Sequence, residues 1–140
     1  MKSVIIFDSV YGCTKQVAEA LADELNRNGC EALLCSLKDS KPESVDCDYL
    51  FLGSPTRFGK PTRRMRKFLD TFDLSNFSGT AIAFDTIMQI PENDSNREKM
   101  KAKYIDDGSA PTIKSALTQK GIHVSDKVLR VEVSGLKGPL

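Results

Sequence analysis

The strongest constraint on this chain lies near its start. There the apolar run Val4-Ile5-Ile6-Phe7 gives way, past Asp8, to Ser9-Val10-Tyr11-Gly12-Cys13-Thr14 and then to the helical pattern KQVAEALADEL. A strand that passes through a short hydroxyl- and glycine-bearing loop straight into a helix builds an anion site, because the first helical amides have no acceptor within the helix and point outward. Phosphate is the natural ligand. Ser9 and Thr14 carry hydroxyls that both donate and accept, Gly12 permits a backbone conformation that a Cβ resists, and the amides from Val10 to Thr14 can converge as a nest of donors. No arginine or lysine lies inside the loop, so an anion's charge is met by the helix N-terminus, worth about half an elementary charge. The chain has no Gly-Lys-Ser/Thr ending for a nucleoside-triphosphate loop and no Gly-x-Gly-x-x-Gly for a dinucleotide. An ordinary strand-to-helix turn, with Ser9 and Thr14 merely capping the helix, accounts for the same residues.

Downstream, strand and helix patterns alternate. The first strand spans about 2–8, and a helix about 14–28 places Val17, Ala18, Leu21 and Leu25 on one face and stops at Gly29. A second strand follows at about 31–37, then the polar connection KDSKPESVD, then DYLFLGS, whose nearly continuous apolar run suits a central parallel strand. Met65, Phe68, Leu69 and Phe72 mark a helix beginning near Thr62, and residues 80–86 a fourth strand. Residues 95–104 suit a short helix. Ser109 is expected to cap a further one carrying Ile113, Ala116 and Leu117 and ending at Gly121, before a fifth strand at 128–133. With 140 residues, 40% of them hydrophobic, the chain is long enough for one domain, 1–140, with a real core and too short for two.

The stretch from Ile5 to Thr14, continued by Ala18 and Leu21, resembles the FMN-phosphate signature of flavodoxins and flavodoxin-like flavoproteins; Cys13 stands where the family often has Asn. A second family feature, a strand running into a Ser-Pro-Thr loop with a following glycine, is similar to LFLGSPTRFGKP here. Two such motifs in order, about forty residues apart with a βαβ unit between them, are far more specific than either alone. The resemblance covers 2–140 and implies an α/β fold: a flavodoxin-like three-layer sandwich with a five-stranded parallel sheet in the order 2-1-3-4-5. Family members usually add a helix after strand five, whereas this chain stops at SGLKGPL. An uncovered strip of sheet there would favour a homodimer.

The resemblance further implies FMN as cofactor, held non-covalently beyond the carboxyl ends of strands one, three and four. Ser9, Val10, Tyr11, Gly12, Cys13 and Thr14 would hold its phosphate. Ser54, Pro55, Thr56, Arg57, Phe58 and Gly59 would cover the ring, with Phe58 able to stack and the Gly59 peptide near N5. Asp85 and Thr86 would open a third loop whose backbone reads the pyrimidine edge; the aromatic third loop of well-studied flavodoxins is replaced here by IMQIPENDSN. The implied function is electron transfer of one or two electrons, as a carrier or as a small NAD(P)H or quinone reductase. The alternative is a flavodoxin-like module with weak or lost flavin binding that acts through protein contacts.

Lys and Arg number 20 against 19 Asp and Glu, so the chain is nearly neutral, yet Arg57, Lys60, Arg63, Arg64, Arg66 and Lys67 stand together without an acidic residue between them. Such a segment suits an acidic redox partner, or is a solvated helix face. Aromatic platforms for nucleic acid are missing. No apolar stretch approaches the ~20 residues that cross a bilayer, and a cytoplasmic location is expected. Cys13, Cys30, Cys35 and Cys47 lack metal-ligand spacing, and His123 is the sole histidine, so no metal site and no disulfide framework is expected. Cys13 is either a small residue filling a tight loop or a thiol activated by the helix N-terminus.

Overall fold

A computed structural model describes residues 1–10, 12–39, 42, 45–56, 60–88 and 108–133. Within them, strands β1 (Lys2–Phe7), β2 (Glu31–Ser36), β3 (Tyr49–Pro55), β4 (Thr80–Met88) and β5 (Leu129–Val133) form one sheet in the order β2-β1-β3-β4-β5, every pair parallel. The described helices are α1 (Cys13–Arg27), α2 (Arg63–Thr71) and α3 (Ser109–Gln119). This is the expected order, with α1 on one face of the sheet and α2 and α3 on the other. The expected helix at 95–104 and the tail at 134–140 lie outside the described residues, as do Tyr11, Arg57, Phe58 and Gly59.

The two-residue strand period decides which face each side chain serves. Ile6, Leu50, Leu52, Ala81 and Ala83 pack with Met65, Phe68 and Leu69 of α2 and Ile113 and Leu117 of α3. Their alternates Ile5, Phe7, Phe51 and Phe84 pack with Val17, Ala18 and Ala22 of α1. Gly53 belongs to this second face, in register with Phe84. A Cβ at Gly53 would run into the Phe84 ring, so the missing side chain makes room for a fully buried aromatic. Met65, Phe68 and Leu69 are buried at helical spacing while Arg63, Arg64, Arg66 and Lys67 face out, which is the amphipathic division the sequence pattern predicts.

The starts of α2 and α3 are capped in different ways. Thr62 caps α2 as the pattern suggests, its hydroxyl accepting the Met65 amide. At α3 the expected cap, Ser109, is instead the first helical residue and caps nothing with its side chain. Its hydroxyl donates to the Pro55 carbonyl at 2.8 Å. The capping oxygens come from neighbouring strands: the Ser109 amide donates to Thr56 Oγ1 at 3.0 Å and the Ala110 amide to Asp85 Oδ2 at 2.9 Å. Helix start and strand ends are therefore one hydrogen-bonded unit.

Candidate functional site

The carboxyl ends of β1 and β3 meet at the point where strand order reverses, and a crevice there is where open parallel sheets bind ligands. Gly12 sits between β1 and α1 with φ 99°, a left-handed conformation natural to glycine. A side chain added there would meet nothing within 4 Å, so the space above the loop is open. Ser9 Oγ accepts the Gly12 amide at 3.1 Å and the Lys15 amide at 3.3 Å, drawing the loop into a closed curl. Among the described residues no acceptor faces the Thr14 amide, which lies in the first turn of α1, where donors are left over.

Thr14 and Thr86 share one hydrogen bond between their hydroxyls at 3.0 Å, both side chains being buried. Two hydroxyls bring two protons to that single bond, so one O–H remains to donate to an acceptor beside the loop. The pair also ties the start of α1 to the end of β4 across 72 residues of sequence. Next to the loop, Phe7, Ser9, Gly12, Lys15, Ser36, Lys38 and Asp39 line a cavity of about 180 Å3. Donors with one sign of field and open space above them fit a phosphate group.

Asp8 ends the β1 run, and its carboxylate turns to the α2 side of the sheet, 1% exposed. It accepts the Thr62 hydroxyl at 2.6 Å, Nη1 of Arg64 at 2.8 Å and the Ser9 amide at 3.0 Å. Ser54 Oγ in turn accepts the Thr62 amide at 3.0 Å. The base of the loop after β3 is thereby pinned to the base of the phosphate-type loop after β1. A second carboxylate does the same work at the other side. Asp85, fully buried, accepts Nε and Nη2 of Arg130 at 3.0 and 2.8 Å, the Thr56 hydroxyl at 3.0 Å and the Ala110 amide at 2.9 Å.

Of the residues expected at the site, Ser9, Val10, Gly12, Cys13, Thr14, Ser54, Pro55, Thr56, Asp85 and Thr86 converge at the carboxyl ends of β1, β3 and β4. Tyr11, Arg57, Phe58 and Gly59 lie outside the described residues. Asp85 and Thr86 do not open a third loop as expected but lie inside β4, which the β5 pairing carries on to Met88, and the Asp85 carboxylate is spent on internal partners. Cys13 is buried, 7% exposed, which suits the packing role better than a reactive one. Asp8, Thr62, Arg64 and Arg130 join the site through contacts between distant segments. A signal for them exists: the segments IIFDS and IAFDT each follow an apolar run with Phe-Asp and then a hydroxyl residue. A carboxylate closing an apolar run must find charged or amide partners. Among the described residues no buried side-chain oxygen or nitrogen lacks a hydrogen-bond partner, and no group of acidic, histidine or cysteine side chains could hold a metal ion.

Comparison with known proteins agrees with this geometry. An archaeal flavodoxin superposes with a TM-score of 0.73 at 23% identity, covering 94% of this chain and 83% of the other. Flavodoxin 1 of Bacillus cereus does so with the same score and identity over 96% and 86%. The flavodiiron protein of Giardia intestinalis gives 0.71 at 20% identity, with 96% of this chain on 31% of that one. At such identities the likeness concerns the fold. An uncharacterized protein of Methanocaldococcus jannaschii is 34% identical over 77 residues, 51% of this chain and 20% of its own length. The chain thus spans about a third of the flavodiiron protein and a fifth of this relative. Residues 4–122 match the flavodoxin domain family. With strand order, phosphate-type loop and sequence match in agreement, the chain belongs to the flavodoxin family, whose implied cofactor is FMN.

Proposed function

We propose that this chain binds FMN non-covalently in the β1–β3 crevice and passes electrons through it. The observation that carries the reading is the start of α1, where left-handed Gly12, a Thr14 amide that meets no acceptor among the described residues and the leftover hydroxyl proton of the Thr14–Thr86 pair come together. When bound, FMN supplies one- and two-electron redox chemistry. The protein's part is to seat the phosphate by main-chain donors at the start of α1 and to hold the two flanking loops in fixed relation through Asp8, Ser54, Thr62 and Asp85. No acid or base of the protein is needed for electron transfer itself. Titration with FMN, followed by quenching of its fluorescence, should saturate at one equivalent. Folded protein that leaves saturating FMN unquenched would refute the assignment.

A protein partner is the second half of the proposal. Arg64 is committed to Asp8, but Arg63, Arg66 and Lys67 are exposed and line a groove of about 650 Å3 with Asp70 and Thr71. This supports an acidic redox partner, whose association rate should fall as salt rises. A non-redox module acting by protein contact is the alternative, favoured by two facts: Ser9 Oγ already satisfies the Gly12 and Lys15 amides, and the described buried side chains are all paired without a ligand.

A further inference from the structure

We propose that Arg64 is a specificity-determining positioning residue that lets the phosphate-type loop accept a doubly charged phosphomonoester, so that FMN is preferred over riboflavin. The proposal rests on the flavin reading above and goes beyond it by assigning a charge-matching role to a residue of another loop. Asp8 places a buried carboxylate immediately before Ser9, whose amide it accepts at 3.0 Å, at the base of a loop built to attract anions. A negative charge in that position has the wrong sign for phosphate, and weak screening in a buried setting makes it count. Arg64 Nη1 stands 2.8 Å from Asp8 Oδ1, with the Arg64 side chain 48% exposed and the Asp8 side chain 2% exposed. It reaches in from α2, so the compensating cation is absent from the loop sequence itself.

The remaining contacts of Asp8 separate charge from geometry. The Thr62 hydroxyl and the Ser9 amide also bond to the carboxylate, and both are neutral. Removing the guanidinium therefore leaves Asp8 hydrogen-bonded and its loop in place while exposing the pocket to an unbalanced negative charge. Riboflavin, which lacks the phosphate, is indifferent to that charge. A clasp that merely held loops together would treat the two compounds alike.

The test is equilibrium binding of FMN and of riboflavin to wild type, Arg64→Met, Asp8→Asn and the double variant, with urea midpoints to establish folding. Arg64→Met should weaken FMN at least about tenfold and riboflavin by no more than about twofold. The double variant should recover FMN affinity to within about threefold of wild type, because Asn keeps an acceptor but carries no charge. Should Arg64→Met fail to fold, Asp8→Asn alone decides: FMN should bind more tightly than to wild type while riboflavin is unchanged. Equal losses for both flavins, or no recovery in the double variant, would overturn the charge-matching role and leave the flavin reading standing. A folded wild type that takes up neither compound would sink both.

Discussion

Asp85 offers the sharpest test of how the site is held. Replacing it with Asn keeps the shape but removes the charge opposite Arg130, which is only 16% exposed, and turns an amino group toward the donors of Thr56, Ala110 and Arg130. Breaking a buried ion pair from one side costs roughly 3–5 kcal/mol, because the surviving guanidinium loses its carboxylate while it stays largely shielded from water. Partial solvent access at Arg130 argues for the lower part of that range. With an unfolding entropy of ~2.1 cal/mol/K per residue, a loss of ~3 kcal/mol in a chain of this length lowers Tm by roughly 10 °C. Urea unfolding of the apoprotein should show the midpoint falling with an unchanged m-value. The Asp85→Asn, Arg130→Met double variant should lose less than the two single losses combined, since both changes remove the same ion pair. A single-variant loss below ~1 kcal/mol would refute the claim that this network is shielded from water.

Two further outcomes follow from named contacts. Gly53→Ala should destabilise the protein by about 2–3 kcal/mol, as its methyl displaces the Phe84 ring in a packed core, and Phe84→Leu should recover part of that loss when both changes are combined; thermal melts of the four proteins check it. Burial pushes the Cys47 thiol above its usual range, partly offset by a hydrogen bond with the Val4 backbone. In the native state it should therefore react with iodoacetamide more slowly than free cysteine at pH 8, the difference vanishing in urea. Because the fold keeps this thiol protonated, its contribution works against stability as pH climbs through the ordinary thiol range near ~8.5.

Much of the architecture was legible because local signals and topology agree. The continuous apolar run of β3 announces a strand buried on both sides, and Leu50 and Leu52 are indeed inaccessible to solvent. The helix stripe Met65, Phe68, Leu69 needs only the 3.6-residue period. What escaped reading was every bond between distant segments. Asp8 meets Arg64 at a separation of 56 residues and Asp85 meets Arg130 at 45; nothing local to either aspartate names its partner. Ser109 shows the same limit in miniature. Its residue type and position suggest a cap, but Thr56 and Asp85, brought close only by the sheet, supply the acceptors and free its hydroxyl for Pro55.

The hydroxyl pair between Thr14 and Thr86 joins the beginning of the chain to its middle. Closing so large a loop is an entropic obstacle that only an assembled sheet can repay, and chains dominated by such distant contacts mature slowly. The ability to grip an anion should then be a late acquisition during folding, arriving with the docking of β4. An excised fragment carrying β1, its loop and α1 would own the sequence motif yet lack the means to keep it in shape.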